Sequence, residues 1–455
     1  MKFNSQTPLR VAIVGSGPSG MYAADSLVKS SIPTIIDIFD RLPTPYGLLR
    51  GGVAPDHQKM KSLESFYDRI FTKNDQISFF GNVRIGHDIS IETLKTYYDA
   101  IVVASGAESD RHLHIDGEDL PGSFAATQFV GWYNGHPDYQ SFNFNLNVSS
   151  VGIIGQGNVA IDVARILAKT PDELSSSDIT ENALSVLRTS QITDIHLIGR
   201  RGPIQAAFTE LEIKELGQLS DCDVIVNSAD LDLGNSCKIE LESNTKAKKN
   251  YSVLESFLNL PQTGKSKRLH IHFFRSPIKV LGTDRVTGLE LNHTELSGDP
   301  FSQKALTTTM TSTLSCDLLF RSVGYRGEPF PGLPFDSDRG VILNNDGQVV
   351  ADDGSPVVGV FTVGWIKRGP SGVLGTNKPD SKQTIDRLIN AADTFEFAPI
   401  RHTDHLLELL TSKGIDYVTF DQWKKIDKIE KIAGQKIGKP REKFISFSDL
   451  LNAKN

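Results

Sequence analysis

The sequence predicts an α/β protein of two doubly wound parallel-sheet domains, the second inserted into the first, and three observations predict it. The β-branched run Leu9 to Val14 leads directly into Gly15-Ser16-Gly17-Pro18-Ser19-Gly20. The same strand, turn and helix grammar returns at Val151, where VGII is followed by Gly155-Gln156-Gly157-Asn158-Val159-Ala160. Later, Gly359-Val360-Phe361-Thr362-Val363-Gly364-Trp365 reads as a further buried strand with a glycine turn, so the first domain resumes. In both turns glycines let backbone N–H groups approach a pyrophosphate, and the positive end of the next helix stabilises the anion. One such turn is often only a tight connection; two in order indicate two Rossmann-like dinucleotide-binding domains. The expected boundaries are 1–107 with 326–394 for the first domain, 108–325 for the second, and 395–455 for a small C-terminal helical appendage.

At 455 residues the chain has material for two to three domains. Its 55 acidic residues outnumber 48 basic ones, which argues against a general nucleic-acid binder. Cys222, Cys237 and Cys316 show neither CxxC nor metal-ligand spacing, so a dithiol redox centre is excluded and no metal site is expected. No signal peptide is visible, and no apolar run reaches the roughly 18 residues that span a bilayer, so a cytoplasmic location is expected.

In the first domain, Met21, Tyr22, Ala23, Ala24, Leu27 and Val28 form one helix face. A second strand, Thr34 to Phe39, ends in Asp40, about twenty residues beyond Gly20, where a carboxylate accepts from a ribose hydroxyl unless it is only a surface acid. The segment Leu42 to His57, LPTPYGLLRGGVAPDH, is too rich in Pro and Gly for regular structure, and long ordered loops usually carry function. It has the backbone donors and apolar surface to wrap a flavin. Lys59 to Phe71 reads as an amphipathic helix, Ile77 to Val83 as a strand, and Ala100 to Ala104 as a buried strand ending in Ser105-Gly106-Ala107.

The second domain follows a loop and the segment Trp132 to His136. The polar stretch Thr170 to Thr180 reads as an insertion after the first helix, and Asp194 to Ile198 as the second strand. Where the first domain has Asp40, this one has Arg200 and Arg201. A carboxylate repels a 2'-phosphate whereas a guanidinium binds it bidentately, so NADP(H) is preferred over NAD(H). Gly202 to Leu219 continues as a loop and a helix with Glu210, Glu212 and Glu215. The region Ser220 to Asp317 reads as short strands and polar turns, and Asp317 to Tyr325 as the last strand. Lys246, Lys248, Lys249, Lys265, Lys267 and Arg268 read either as a solvated loop or as a docking surface for a small acidic protein. In the resumed first domain, Ile366 to Asn377 is a second glycine-rich turn before a helix from Asp380 to Phe395. His405 to Leu410 and Gln422 to Ala433 read as helices of a tail without recognisable chemistry.

Five motifs in order, LPTPYGLLRGGVAPDH, GQGNVAIDVARIL, GRRGPIQAAFTELE, RSVGYRG and GWIKRGPSGVLGTNK, resemble the NADPH-ferredoxin reductases of the adrenodoxin-reductase type, bacterial members above all. The resemblance covers roughly residues 9–393 and implies FAD on the first domain, NADPH on the second, and electron transfer to a ferredoxin. It implies FAD contacts at Gly15, Gly17, Ser19, Gly20, Asp40, Arg41, Gly47, Leu48, Val83 and Gly106, and after the last strand at Gly364, Trp365, Val373 and Leu374. It implies NADPH contacts at Gln156, Gly157, Asn158 and Val159, a 2'-phosphate clamp at Arg200 and Arg201, and a nicotinamide-proximal Gly372. Glu212 corresponds to a partner of the nicotinamide-side ribose or of the clamp, and His57 and Glu215 to a polar pair near flavin and nicotinamide. Asp40 departs from the pattern, since many relatives carry Glu there.

The implied activity is that of an FAD-dependent NADPH:ferredoxin oxidoreductase. Hydride transfer needs no acid or base, so His57 and Glu215 tune charge and proton traffic or simply shape the loop. Two other functions are compatible with the same folds, a flavin monooxygenase and a non-catalytic NADPH-responsive flavin-binding module.

Overall fold

A computed structural model describes residues 2–455, with every side chain except that of Thr403. The chain divides into two units, one made of Ala54–Asp56 with Asp110–Gly324 and the other of the remaining described residues.

The first unit is organised by Leu9–Val14, whose six residues are all buried. It lies inside a seven-stranded sheet between Ala100–Val103 and Thr34–Phe39, with Ile77–Phe80 at one edge. Beyond Ala100–Val103 comes Pro356–Thr362, parallel to it, and an antiparallel hairpin, Asn344–Asn345 and Gln348–Val350, closes the other edge. Strand order reverses on either side of Leu9–Val14, and such a reversal opens a ligand crevice at the carboxyl ends of the strands. The chain there is pinned, because Gly15 N–H donates to Phe39 O at 2.7 Å and Ala104 N–H to Val14 O at 2.7 Å. The helix Pro18–Val28 then packs Met21, Ala23, Ala24 and Leu27 into the core.

Two expectations for this unit change. The helix expected over 59–71 is two helices, Gln58–Lys61 and Glu64–Thr72, because Leu63, Ser65 and Phe66 N–H groups bond three residues back and tighten the chain between them. The strand expected over 77–83 stops at Phe80, where Gly81 bridges to Val418. The tail packs on this unit as a helical appendage and reaches into its core. Its helices Thr403–Ser412, Phe420–Gln435 and Phe447–Ala453 supply Leu406, Leu410, Trp423, Ile426 and Leu450 to the two cores that cover the sheet. Even the polar stretch 436–443 is partly buried: Lys439, Arg441 and Lys443 are each 5 % exposed or less.

The second unit has a six-stranded parallel sheet in the order Ser123–Ala125, Leu318–Arg321, Ser150–Ile154, Asp194–Ile198, Lys267–His272, Cys222–Val226. One face packs on the helix Asn158–Ala168 and an aromatic cluster around Phe129, Phe144 and Phe320. The other packs under a three-stranded antiparallel sheet, Arg275–Leu281, Gly288–Ser297 and Lys304–Ser315. The stretch 170–180 holds a short helix, Pro171–Ser175, started by a Thr170 to Glu173 capping box. Residues 220–317 are not only strands and turns, since Asn235–Ser243 and Thr245–Phe257 are helices. Among the described residues no helix is long and apolar enough to cross a membrane.

Candidate functional site

Each glycine turn separates residues that must be small from residues that leave room. In the first turn Gly15 has φ +108°, and a Cβ there would lie 2.4 Å from Ala104 O. A Cβ on Gly20 would lie 2.0 Å from Gly15 O. Gly17 has no atom nearer than Gly47 Cα at 3.9 Å, and Gly106, at φ +77°, faces open space. Gly47 has φ +49° and closes on Gly17 from the flavin-type loop. Two rigid glycines and an open one between them, over a helix start, fit the pyrophosphate of a dinucleotide.

Asp40 stands beside this turn. Its carboxylate accepts from Ser16 N–H at 2.9 Å, from the Ser16 hydroxyl and from Leu42 N–H at 2.9 Å. Burial raises its pKa against those hydrogen bonds. Arg41 pairs with Glu108 at 3.0 Å. Val83 donates its N–H to Asp40 O at 2.9 Å while its side chain is buried in the core, so its link to the site runs through the backbone. Leu48 is half-buried in the helix Leu48–Gly51.

The turn after the last strand meets the first one. A Cβ on Gly364, φ +77°, would lie 2.0 Å from Ser19 Oγ, and Ser19 donates to Asn377 Oδ1 at 3.1 Å. Gly364 N–H donates to Asp380 Oδ2 at 2.7 Å. Arg368 shapes the following segment by donating to Ser371 Oγ, Thr376 Oγ1 and Asn377 Oδ1 at 3.0–3.2 Å. Trp365 is half-buried, donates its indole N–H to Ser371 O and packs on Tyr325. Gly372 has φ +82°, Val373 is 53 % exposed, and Leu374 rests partly on the core.

In the second unit a Cβ on Gly155, φ +134°, would lie 2.1 Å from Ser322 O, whereas Gly157 has nothing within 4 Å. Gln156 is fastened by its side chain to His272 O at 3.0 Å and accepts from Ala207 and Phe208 N–H through its carbonyl. Asn158 Oδ1 accepts from Thr209 N–H at 2.8 Å, which ties the turn to the start of the helix Glu210–Leu216. Val159 is half-buried against the core. Arg200 and Arg201 are exposed on a fixed backbone: Thr294 Oγ1 donates to Arg200 O at 2.7 Å and Phe274 N–H to Arg201 O at 3.2 Å. Burial and the neighbouring Arg200 lower the pKa of Arg201, the signature of cations gathered in one place.

Glu212 pairs with Arg165 at 3.3 Å, and Glu215 faces the same guanidinium at 3.4 Å. Arg165, fully buried, also binds Asp56 at 2.8 Å and Asp162 at 2.7 Å, and Lys169 reaches Asp56 at 2.8 Å. Burial opposes ionisation of Asp56, but Arg165 and Lys169 outweigh it and hold the carboxyl well below its usual range. His57 follows Asp56 directly, half-buried at the start of Gln58–Lys61, in the first unit. Arg165 escaped the sequence reading; its only signal is the Asp162 to Arg165 helical spacing.

The basic residues do not form one loop patch. Lys246, Lys248 and Lys249 lie on the helix Thr245–Phe257, while Lys267 and Arg268 lie on a strand. Lys267 is turned inward, its ammonium on Leu167 O at 2.7 Å; Lys265 binds Leu219 O at 2.8 Å; Arg268 is paired with Asp194 at 2.6 Å; Lys249 faces Glu210 at 3.3 Å. Lys248 is exposed, and Lys246 donates to Ala207 O at 2.8 Å. Of this set Lys249 and Arg268 thus face an acid, while Lys246, Lys265 and Lys267 rest on neutral carbonyl oxygens.

Residues 9–191 match the family described as pyridine nucleotide-disulphide oxidoreductase. The chain is 42 % identical over 456 residues to NADPH-ferredoxin reductase FprA of Mycobacterium tuberculosis, covering 98 % of each. It is 39 % identical over 464 residues to the mitochondrial NADPH:adrenodoxin oxidoreductase of Arabidopsis thaliana, covering 99 % of this chain and 96 % of that one. The solved structure of M. tuberculosis FprA in complex with NADPH superposes with a TM-score of 0.92 at 40 % identity, over 98 % of this chain and 99 % of the other. The similarity thus extends through the tail, beyond the 9–393 read from motifs.

Proposed function

This chain belongs to the NADPH-ferredoxin reductases of the adrenodoxin-reductase type, and we propose from that premise which of its residues carry the reaction. The protein is an FAD-dependent oxidoreductase that takes electrons from NADPH and passes them to a ferredoxin-like iron–sulfur protein. The flavin, when bound, would accept one hydride and release its two electrons singly, which the side chains of this protein cannot do.

The observation that carries the reading is the contrast between the two turns. Both leave an open glycine over a helix start, at Gly17 and Gly157. Beside the first stands a half-buried acid, Asp40; beside the second stand two exposed arginines. The acid receives ribose hydroxyls and repels a phosphate, so the first turn takes FAD with Gly15, Gly17, Ser19, Gly20 and Gly47 around its pyrophosphate. Arg200 and Arg201 receive the 2'-phosphate that distinguishes NADPH. Gln156, Gly157, Asn158 and Val159 form the pyrophosphate turn, and Gly364, Trp365, Gly372, Val373 and Leu374 form the segment against which flavin and nicotinamide are oriented. Arg165 has a positioning role: it fixes Glu212 and Glu215 on one helix face while fastening Asp56, the residue before His57. His57 and Glu215 set the charge and proton supply near the reacting rings.

The test is the double variant R200E/R201E in the holoenzyme. Two charge-assisted contacts of about 1.5–3 kcal/mol each are lost, so the KM for NADPH is expected to rise about 100-fold or more while that for NADH stays unchanged. An unchanged NADPH/NADH ratio would show that the clamp is misassigned. Flavin absorbance that NADPH fails to bleach in the wild-type protein would sink the whole reading.

A further inference from the structure

Arg201 lines a cavity of about 230 Å³ within the second unit. Lys246 and Glu240 line it too, as do Gln205, Asn250 and Phe301. The charges around it are unequal in kind. Lys246 is exposed, and the partner of its ammonium is a neutral carbonyl, Ala207 O at 2.8 Å. Its charge therefore stays uncompensated, and Ala207 is itself held by Gln156 O in the pyrophosphate turn. Glu240 is 7 % exposed, fixed by Phe301 N–H at 3.1 Å, and its field acts on Arg201. Asn250 is 1 % exposed; its Nδ2 donates to Phe208 O at 2.9 Å, and its Oδ1 has no hydrogen-bond partner among the described residues. A buried acceptor left without a donor is rare and costs about 1–3 kcal/mol, and it calls for a ligand N–H or O–H, such as an adenine amino group or a ribose hydroxyl, beside the phosphate that the cations receive.

We propose that Lys246 and Glu240 are the determinants that set how strongly this enzyme prefers a 2'-phosphorylated adenosine. The inference rests on the assignment of Arg200 and Arg201 to the same end of NADPH. Lys246, on the helix Thr245–Phe257, adds a further cation to the cavity that Arg201 lines. Glu240 opposes it. A fixed buried carboxylate beside Arg201 weakens the pull on a phosphate dianion, and does so equally for NADPH and NADP⁺, so neither is held so firmly that release becomes slow. The pair is a setpoint for affinity, with one residue on each side of the balance.

Two single variants keep the fold. K246M retains the aliphatic stem and loses only the ammonium; E240Q retains an acceptor for Phe301 N–H and loses only the charge. The holoenzyme is titrated calorimetrically with adenosine 2',5'-bisphosphate and, in parallel, with AMP. K246M is expected to weaken the bisphosphate about tenfold with AMP unchanged, K246R to restore it, and E240Q to tighten the bisphosphate about threefold at low salt. Equal weakening of both ligands by K246M would reduce Lys246 to a prop for Ala207 and overturn the proposal, as would wild-type binding in K246M and E240Q. R200E/R201E is measured alongside: if it weakens the bisphosphate and K246M does not, this proposal fails while the clamp stands, and if neither does, the clamp itself is wrong.

Discussion

Gly15 and Gly157 occupy different positions of the same motif and are glycine for different reasons. At Gly15 the backbone is left-handed, φ +108°, and a Cβ would press on Ala104 O at 2.4 Å. At Gly157 φ is −103°, open to any residue, and nothing lies within 4 Å. G15A is therefore expected to destabilise the first unit by about 2–4 kcal/mol and to lower its flavin content. G157A should leave thermal unfolding and flavin content unchanged but weaken NADPH binding about tenfold or more, because the methyl takes the space of a phosphate. Wild-type NADPH affinity in G157A, measured by fluorescence titration, would mean that no ligand occupies that space. The glycines, Asp40 and the two arginines were legible because a dinucleotide turn needs them at fixed spacings. Arg165 was not, since an arginine inside an amphipathic helix looks the same whether it faces water or four acids.

At the scale of elements, the strands Asp194–Ile198 and Lys267–His272 pair so that His196 lies opposite His270, with His272 two residues on and on the same face. The His196 and His270 rings stack at 4.7 Å, and His196 Nδ1 lies 3.1 Å from His272 Nε2. Burial, aided by the neighbouring histidines, pushes His196 down to about 3 and His272 down to about 4. Both are neutral in the fold, whereas in the unfolded chain they take up protons near 6.5. Between those limits the unfolded state binds more protons, so stability is complete above about 6.5 and falls as the pH drops toward 4 and then 3. Each histidine should cost on the order of 2 kcal/mol between pH 7 and pH 5. Urea unfolding at both pH values checks this, and H196F/H272F should flatten the difference; an equal slope in that variant would assign it to other groups. The strands were readable from their alternation. The helix Thr245–Phe257 was not, although Ala247, Asn250, Leu254 and Phe257 form its buried stripe, because lysines and asparagines dilute the apolar period.

On the scale of the whole molecule, the first unit is closed by contacts between the two ends of the chain. Arg50, in the Pro- and Gly-rich loop beside the first turn, binds Glu430 through both guanidinium nitrogens at 2.5 and 2.8 Å, and it lies over the Trp423 ring at 5.0 Å. Glu430 is 0 % exposed and also accepts from Phe444 N–H at 3.0 Å. Removing the carboxylate leaves Arg50 buried without compensation, so E430A is expected to cost about 3–5 kcal/mol and to release flavin on gel filtration. Retention of wild-type Tm and flavin in E430A would show that the tail does not fasten the loop.

The sequence by itself determined two dinucleotide folds, one nested in the other, with an acid, Asp40, after the second strand of one and the arginines Arg200 and Arg201 after the second strand of the other. These depend on turn geometry and on charge at short, fixed spacings, which local order records directly. Only the tertiary structure decided that Glu212 and Glu215 answer Arg165, that Lys246 belongs beside Arg201, and that residues 395–455 complete the core of the first unit. Those are pairings between residues tens to hundreds of positions apart. Burial and ion pairing select partners by distance in space, and no spacing along the chain encodes which acid will meet which base.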